Sequence, residues 1–325
     1  MKNSLKIIAP YFVLLIIGFI FGNLISGSED SCDKTGLRYV NPDLICGNKM
    51  IVKKSSYNQL KNKLLTYIED KKQEEKITNI SIYFRDLQNG PTLGINEHEL
   101  FSPASLLKVP LLMTYENLKI DKHPGLFDIK LVVKDFGNDA VQAIPPRYQV
   151  EFGKEYSIRE LLDSMIKHSD NRAYASLLDY LIELSPETDP LKDTFIDLGI
   201  IDPKDYLDNT ISVKSYGSIF VQLFHSSFFN NNSVSNEVLD LLTKIDWEEG
   251  LNKGVPANIE IAHKFGERTD PQKNIKQLHD CGIVYYPKNP YLLCVMTRGN
   301  DFYELSSVIA DVSKMFYEEF NSRKI

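Results

Sequence analysis

Phe101-Ser102-Pro103-Ala104-Ser105-Leu106-Leu107-Lys108 reads as a loop running into an apolar helix over residues 106–115. Ser105 falls in the first turn, and Lys108 lies three residues on, on the same face. A serine near neutral pH needs a base within hydrogen-bond reach, and a partly buried lysine has its pKa lowered enough to serve. The positive end of the helix also favours negative charge developing at Ser105. Pro110 has no N–H for a helix interior and is read as a distortion early in the helix. Ser-x-x-Lys recurs at Ser31–Lys34 and Ser164–Lys167. Ser31 sits in a polar linker, and Ser164 sits mid-helix with Lys167 on a solvated face, so neither pair meets those conditions.

Working outward, residues 57–73 read as a helix with Leu60, Leu64, Leu65, Tyr67 and Ile68 on its apolar face. Residues 77–87 alternate as a strand, Asn89-Gly90 is a hairpin turn, and 92–95 is the return strand. Ser157-Ile158-Arg159-Glu160 is a capping box opening a helix, and a break at His168-Ser169-Asp170-Asn171 precedes another, through 184. Helices over 213–229 and 234–245 follow, then strands at 259–264, 282–286 and 291–296. A last helix over 302–320 carries Leu305, Val308, Ile309, Val312, Met315 and Phe316 as a core stripe. The expected fold is α/β (α+β): an antiparallel five-stranded sheet flanked by N- and C-terminal helices, with an inserted all-helical lobe. Residues 1–30 form the cytoplasmic start and membrane segment, 31–54 a linker, and 55–325 the globular unit. Within it, 55–118 and 257–325 make the α/β lobe and 119–256 the helical lobe.

The apolar run 7–25 is long enough to cross a bilayer core. Lys2 and Lys6 precede it, while Glu29, Asp30 and Asp33 follow, which leaves the bulk of the chain outside the cell membrane. The run is read as an uncleaved single-pass transmembrane helix. The competing reading is a cleaved signal peptide, although Ile25-Ser26-Gly27-Ser28 lacks an Ala-x-Ala site. Four cysteines suit an oxidising compartment; Cys32–Cys46 with Cys281–Cys294 is one of three pairings, and free buried thiols are the alternative. A net charge of -7 without a basic stripe argues against nucleic acid as a partner. No Cys-x-x-Cys or His-Glu-x-x-His occurs, so no metal or redox cofactor is signalled.

Two further segments carry chemistry. Ser169-Asp170-Asn171 sits between helices, where an irregular backbone can aim side chains into a cleft. Ser169 can pass a proton to a leaving nitrogen, Asn171 can bind a substrate amide, and Asp170 is a structural helix cap. Lys264-Phe265-Gly266 ends an edge strand that can pair with an extended substrate. There Lys264 offers charge to a substrate carboxylate and Gly266 permits close approach. The N–H of Glu267 can join that of Ser105 in an oxyanion hole.

In that order, Ser105–Lys108, Ser169–Asn171 and Lys264–Gly266 resemble the three motifs of the penicillin-recognising serine hydrolases, the superfamily of β-lactamases and D,D-peptidases. Class A β-lactamases, whose middle motif also reads Ser-Asp-Asn, look most similar. Gly250-Leu251-Asn252-Lys253-Gly254-Val255-Pro256 adds to the likeness, which spans about 55–323. The resemblance implies a bacterial, extracytoplasmic, monomeric enzyme without cofactor. Ser105 is then the acylated nucleophile, Lys108 the general base and Ser169 the proton relay. Asn171, Lys264 and Gly266 contact a β-lactam or peptidoglycan stem peptide. Two departures stand out. Phe265 replaces the usual Thr or Ser, and the stretch 198–212, which corresponds to the loop that carries Glu-x-x-Leu-Asn in class A enzymes and activates the deacylating water there, lacks that pattern. Asp205-Tyr206-Leu207-Asp208-Asn209 is the nearest echo, with Asp205 as the candidate deacylating base. The function expected is β-lactam hydrolysis through a Ser105 acyl-enzyme. The alternatives are a cell-wall D,D-peptidase or transpeptidase, and a non-catalytic peptidoglycan-binding module.

Overall fold

The computed structural model describes residues 37–323, except 43, 45–56, 89, 122, 136–141, 201–209 and 271–273. The membrane segment at 7–25, Asp205, Cys32 and Cys46 therefore lie outside the described residues. Among those described, no helix is long and apolar enough to cross a membrane.

The chain opens with helix α1 (Asn58–Gln73), strand β1 (Asn79–Asp86) and strand β2 (Thr92–Ile95). Leu60, Leu64 and Ile68 of α1 are buried, whereas Leu65, a full 100° round from Leu64, faces solvent. Strands β7 (Ile261–Thr269), β8 (Lys276–Val284) and β9 (Tyr291–Gly299) complete an antiparallel sheet in the order β2-β1-β9-β8-β7. The fold is α+β, with a five-stranded antiparallel sheet and eight described helices.

Strand alternation decides what each face meets. Phe84 of β1 stacks on Phe316 of the last helix, α8 (Phe302–Ser322), with ring centroids 4.8 Å apart. Its neighbour Tyr83 points the other way, onto Gly217 of α6 (Val213–Phe224). Phe316 and Phe320 are fully buried, each contributing about 2 kcal/mol of apolar burial. Cys281 and Cys294 face each other across β8 and β9, where they form a disulfide.

The motif at Ser105 differs from the single helix expected at 106–115. A 3-10 turn, Ala104–Leu107, comes first, and helix α2 (Lys108–Asp121) starts at the lysine. Pro110 is the third residue of α2, where a backbone N–H has no partner within the helix, so it breaks no hydrogen bond there. The strand expected to stop at 264 runs on to Thr269, because backbone pairing with β8 continues after the apolar alternation ends. Lys264 thus sits inside β7, and the 3-10 turn packs along this edge strand.

The middle of the chain is mainly helical: α3 (Ile158–Lys167), α4 (Asn171–Leu184), α5 (Pro190–Asp197), α6 and α7 (Asn232–Leu242). It also holds a small ribbon, β4 (Lys130–Val132) with β5 (Glu155–Ser157), that the reading of an all-helical lobe did not anticipate. Leu100–Phe101 (β3) pairs with Ile211–Ser212 (β6). Helix α6 stops at Phe224, short of the expected 229, because Ser226 takes a positive φ angle of 51°.

Candidate active site

Three segments distant in sequence meet at the hydroxyl of Ser169. Lys108 Nζ lies 3.1 Å from Ser105 Oγ, 3.2 Å from Ser169 Oγ, 2.6 Å from the Ser169 carbonyl oxygen and 2.7 Å from Asn171 Oδ1. Two of these partners, the carbonyl and the amide oxygen, can only accept hydrogen bonds. A neutral amine has two N–H groups for them and one lone pair left for a hydroxyl proton. Burial drives the Lys108 pKa down to about 7, opposed by the negative charges of Asp170 and Glu267, so the neutral form is well populated near neutrality. Lys108 has the position and the basicity to take the Ser105 proton.

Local sequence explains how the parts are held. Ala104, just before the nucleophile, has φ 50°, and Ser169 has φ 54°. Non-glycine residues in this region cost of order 1 kcal/mol or more each, and the surroundings must hold them there. At Ser169 the holder is Asp170. Its Oδ1 accepts from the N–H of Arg172 and Ala173, capping α4, while Oδ2 accepts from Val150 N–H and Ser164 Oγ–H, both at 2.8 Å. Asp170 is fully buried and its carboxylate is fully occupied, in keeping with a structural role. Ser164 is thereby part of this anchor, and Lys167 pairs with Asp163.

Lys264 is also fully buried. Its Nζ lies 2.9 Å from Ser169 Oγ and 3.0 Å from the Phe265 carbonyl oxygen, and 4.2 Å from the Phe265 ring centre. Burial, then the charge of Lys108, hold its pKa well below the ordinary lysine value. Two amines thus flank one hydroxyl, which suits Ser169 as a proton relay. Gly266 lies against the 3-10 turn: a Cβ there would come 3.0 Å from the Pro103 carbonyl oxygen and 3.1 Å from Leu106 N. This close approach seats the strand backbone at Gly266 against the turn that carries Ser105.

The sequence reading missed several participants. Trp247 stacks on Phe265 with ring centres 4.4 Å apart; the one tryptophan of the chain was a signal left unused. The carboxylate of Glu267 accepts from Ala143 N–H at 2.7 Å and Ile144 N–H at 3.3 Å, and Gln142 Nε2 donates to the Ser169 carbonyl oxygen at 3.2 Å. His279 lies beneath the nucleophile loop, with Nε2 2.9 Å from the Ser102 carbonyl oxygen. A cavity of about 630 Å³ lined by Tyr39, Phe224, Tyr285 and Tyr286 involves none of these groups; reactive chemistry, not cavity size, marks the site.

The model of the Beta-lactamase enzyme family (Beta-lactamase2) matches residues 59–320. The chain belongs to the beta-lactamase enzyme family. It is a serine hydrolase of the β-lactamase or penicillin-binding type. Solved structures of this fold agree. An acyl-enzyme complex of a PBP-A mutant with penicillin G superposes with a TM-score of 0.65 at 21% identity, covering 82% of this chain and 97% of that one. TLA-3 extended-spectrum beta-lactamase gives 0.66 at 19%, covering 82% and 99%. A class A beta-lactamase from Bacteroides cellulosilyticus DSM 14838 gives 0.65 at 18%, covering 83% and 100%. No curated protein matches the sequence.

Proposed function

We propose that this family member opens β-lactam amides through an acyl-enzyme on Ser105. The supporting observation is Lys108 Nζ, 3.1 Å from Ser105 Oγ with a pKa lowered to about 7. The neutral amine takes the Ser105 proton as Oγ attacks the carbonyl carbon. The N–H groups of Ser105 and Glu267 hold the oxyanion. The proton then passes through Ser169 Oγ to the leaving nitrogen, the C–N bond breaks, and the ester on Ser105 remains. Water completes the cycle, with Asp205 proposed as the base that activates it. Asn171 orients the acyl amide. No metal or cofactor enters.

A second reading has its own support. The stretch 198–212 lacks the Glu-x-x-Leu-Asn pattern, so the ester can outlive its formation, the behaviour of a cell-wall D,D-peptidase. We further propose that residues 7–25 anchor the protein as a monomer in the bacterial cell membrane with Ser105 outside, and that Cys32 pairs with Cys46. An intact-mass time course of the full chain with excess penicillin separates the readings. Drug consumption with a transient adduct supports β-lactam hydrolysis. A persistent adduct, lost in Ser105→Ala, supports the peptidase. Neither adduct nor consumption leaves the non-catalytic peptidoglycan-binding module.

A further inference from the structure

A serine that relays a proton must be aimed as well as placed. In the reaction above, Ser169 gives its hydroxyl proton to the leaving nitrogen as the C–N bond breaks, and takes one from Lys108. Lys264 Nζ donates to Ser169 Oγ at 2.9 Å, so the hydroxyl hydrogen is not needed for that contact and can point at the nitrogen. The contact joins two separate elements, the 168–171 turn and β7. Asp170 fixes the first of them: its partners are Arg172, Ala173, Val150 and Ser164, none of which belongs to β7.

A dipeptide between α7 and β7 spans the gap. Asp246 Oδ2 lies 2.7 Å from His168 Nδ1, and a carboxylate can only accept, so the imidazole donates. The Asp246 N–H donates in turn to the Lys167 carbonyl oxygen at 3.1 Å. These two bonds hold the residues directly before Ser169, whose φ of 54° needs support from outside the turn. The His168 and Asp246 side chains are 26% and 22% exposed, shielded enough for the pair to keep its geometry. The next residue, Trp247, stacks on Phe265, and Lys264 Nζ sits 4.2 Å from the centre of that same ring. Trp247 is itself fixed: its carbonyl oxygen accepts from Asn252 Nδ2 at 2.9 Å, and its ring lies so close to Gly250 that a Cβ there would come within 2.6 Å. The charge of Asp246 also reaches the amine. Burial and the charge of Lys108 push the Lys264 pKa down, while Asp280 and then Asp246 oppose them. Asp280 is committed to His263 Nδ1 at 2.8 Å and the Leu251 N–H at 2.9 Å; of the two carboxylates, Asp246 is the one bonded to the Ser169 turn.

We propose that Asp246 is a positioning residue for the proton relay: paired with His168 on one side and joined through Trp247 to Phe265 on the other, it holds the Ser169 hydroxyl against Lys264 so that the leaving nitrogen receives its proton. The inference rests on the acyl-serine reading above and adds to it the pair that aims the relay.

The test follows acylation of the full chain, by intact mass, with two reagents that share the attack on carbon and differ in what leaves. Penicillin G needs its leaving nitrogen protonated, whereas the p-nitrophenyl ester of phenylacetylglycine expels p-nitrophenolate, which departs without a proton. Asp246→Ala is expected to slow penicillin acylation about tenfold, the scale of a small misplacement, and to leave the ester rate within about twofold. His168→Ala should do the same, and the double variant should be no slower than either single one, because the two residues act as a pair. The ester rate counts competent sites in every variant, so a folding defect registers as an equal loss with both reagents. Equal slowing of the two reagents in both single variants, or no slowing of penicillin in either, overturns the proposal while the acyl-serine reading stands. If neither reagent acylates Ser105 in the wild type, that reading falls and the proposal with it.

Discussion

The pH dependence of acylation follows from the burial of one amine. Lysine ordinarily titrates at 10.5, and Lys108 titrates at about 7. At pH 7 an ordinary lysine is neutral in about 0.03% of molecules and Lys108 in about half, a gain of roughly 1,500-fold in competent base. Acylation is then expected to follow a single ionisation near pH 7. It should drop about 50-fold from pH 7 to pH 5, where roughly 1% is neutral, and gain only about twofold above pH 8. Stopped-flow acylation by a chromogenic penicillin between pH 5 and 9 measures this. Stability gives a second readout. Between pH 7 and 10.5 the unfolded chain holds a proton on Lys108 that the folded one has released. Stability therefore rises with pH across that window, by about 1.4 kcal/mol per unit and about 5 kcal/mol in all. Below pH 7 the burial penalty is at its full value. Lys264, also depressed, adds to the slope, so the quantity to read is the difference between wild type and Lys108→Met in urea unfolding. An acylation profile that is flat from pH 5 to 9, or a midpoint above pH 9, refutes Lys108 as a neutral base.

Three further outcomes are expected. Asp170→Ala removes the cap of α4 and strands Val150 N–H and Ser164 Oγ–H, at a cost of about 3 kcal/mol in chemical unfolding. Gly266→Val pushes side-chain atoms against Pro103 and Leu106, and should slow acylation at least tenfold while the melting temperature moves by only a few degrees. His279 is buried and its pKa is lowered to about 4, against an ordinary 6.5. Below pH 6.5 the unfolded state takes up a proton that the folded state refuses. Stability therefore falls as pH falls from 6.5 to 4, by about 3 kcal/mol, and His279→Gln should flatten that loss in unfolding curves at pH 7 and 4.5.

Elements governed by local pattern were legible in the sequence. The capping box at Ser157 and Glu160 forms as expected, and the alternation in β1 and the stripe along α8 correspond to buried faces. Asp189-Pro190, a cap followed by the residue favoured at a first helical position, signalled α5 and was not used. Other features depend on contacts that local pattern does not encode. The continuation of β7 through Glu267-Arg268-Thr269 comes from its partner strand, and the 3-10 start at Ala104 comes from packing on β7. The residue types at Ser105, Lys108, Ser169 and Asn171 announced chemistry. The sealing of Lys264 and the reach of Glu267 across the cleft belong to tertiary structure alone. Trp247 stacks on Phe265 beside Lys264, and the 143–144 backbone holds the Glu267 carboxylate, neighbourhoods that no spacing rule describes.

Ser169 is bonded to Lys108 from 61 positions away and to Lys264 from 95. No short fragment of the chain holds all three segments, and no early folding intermediate can assemble the whole site before both long loops have closed. Reactivity at Ser105 is thus a property of the finished molecule. A reagent that acylates this serine would tally natively folded copies in a crude preparation, and a lesion that loosens any one of the three segments would lower that tally before most of the secondary structure is lost.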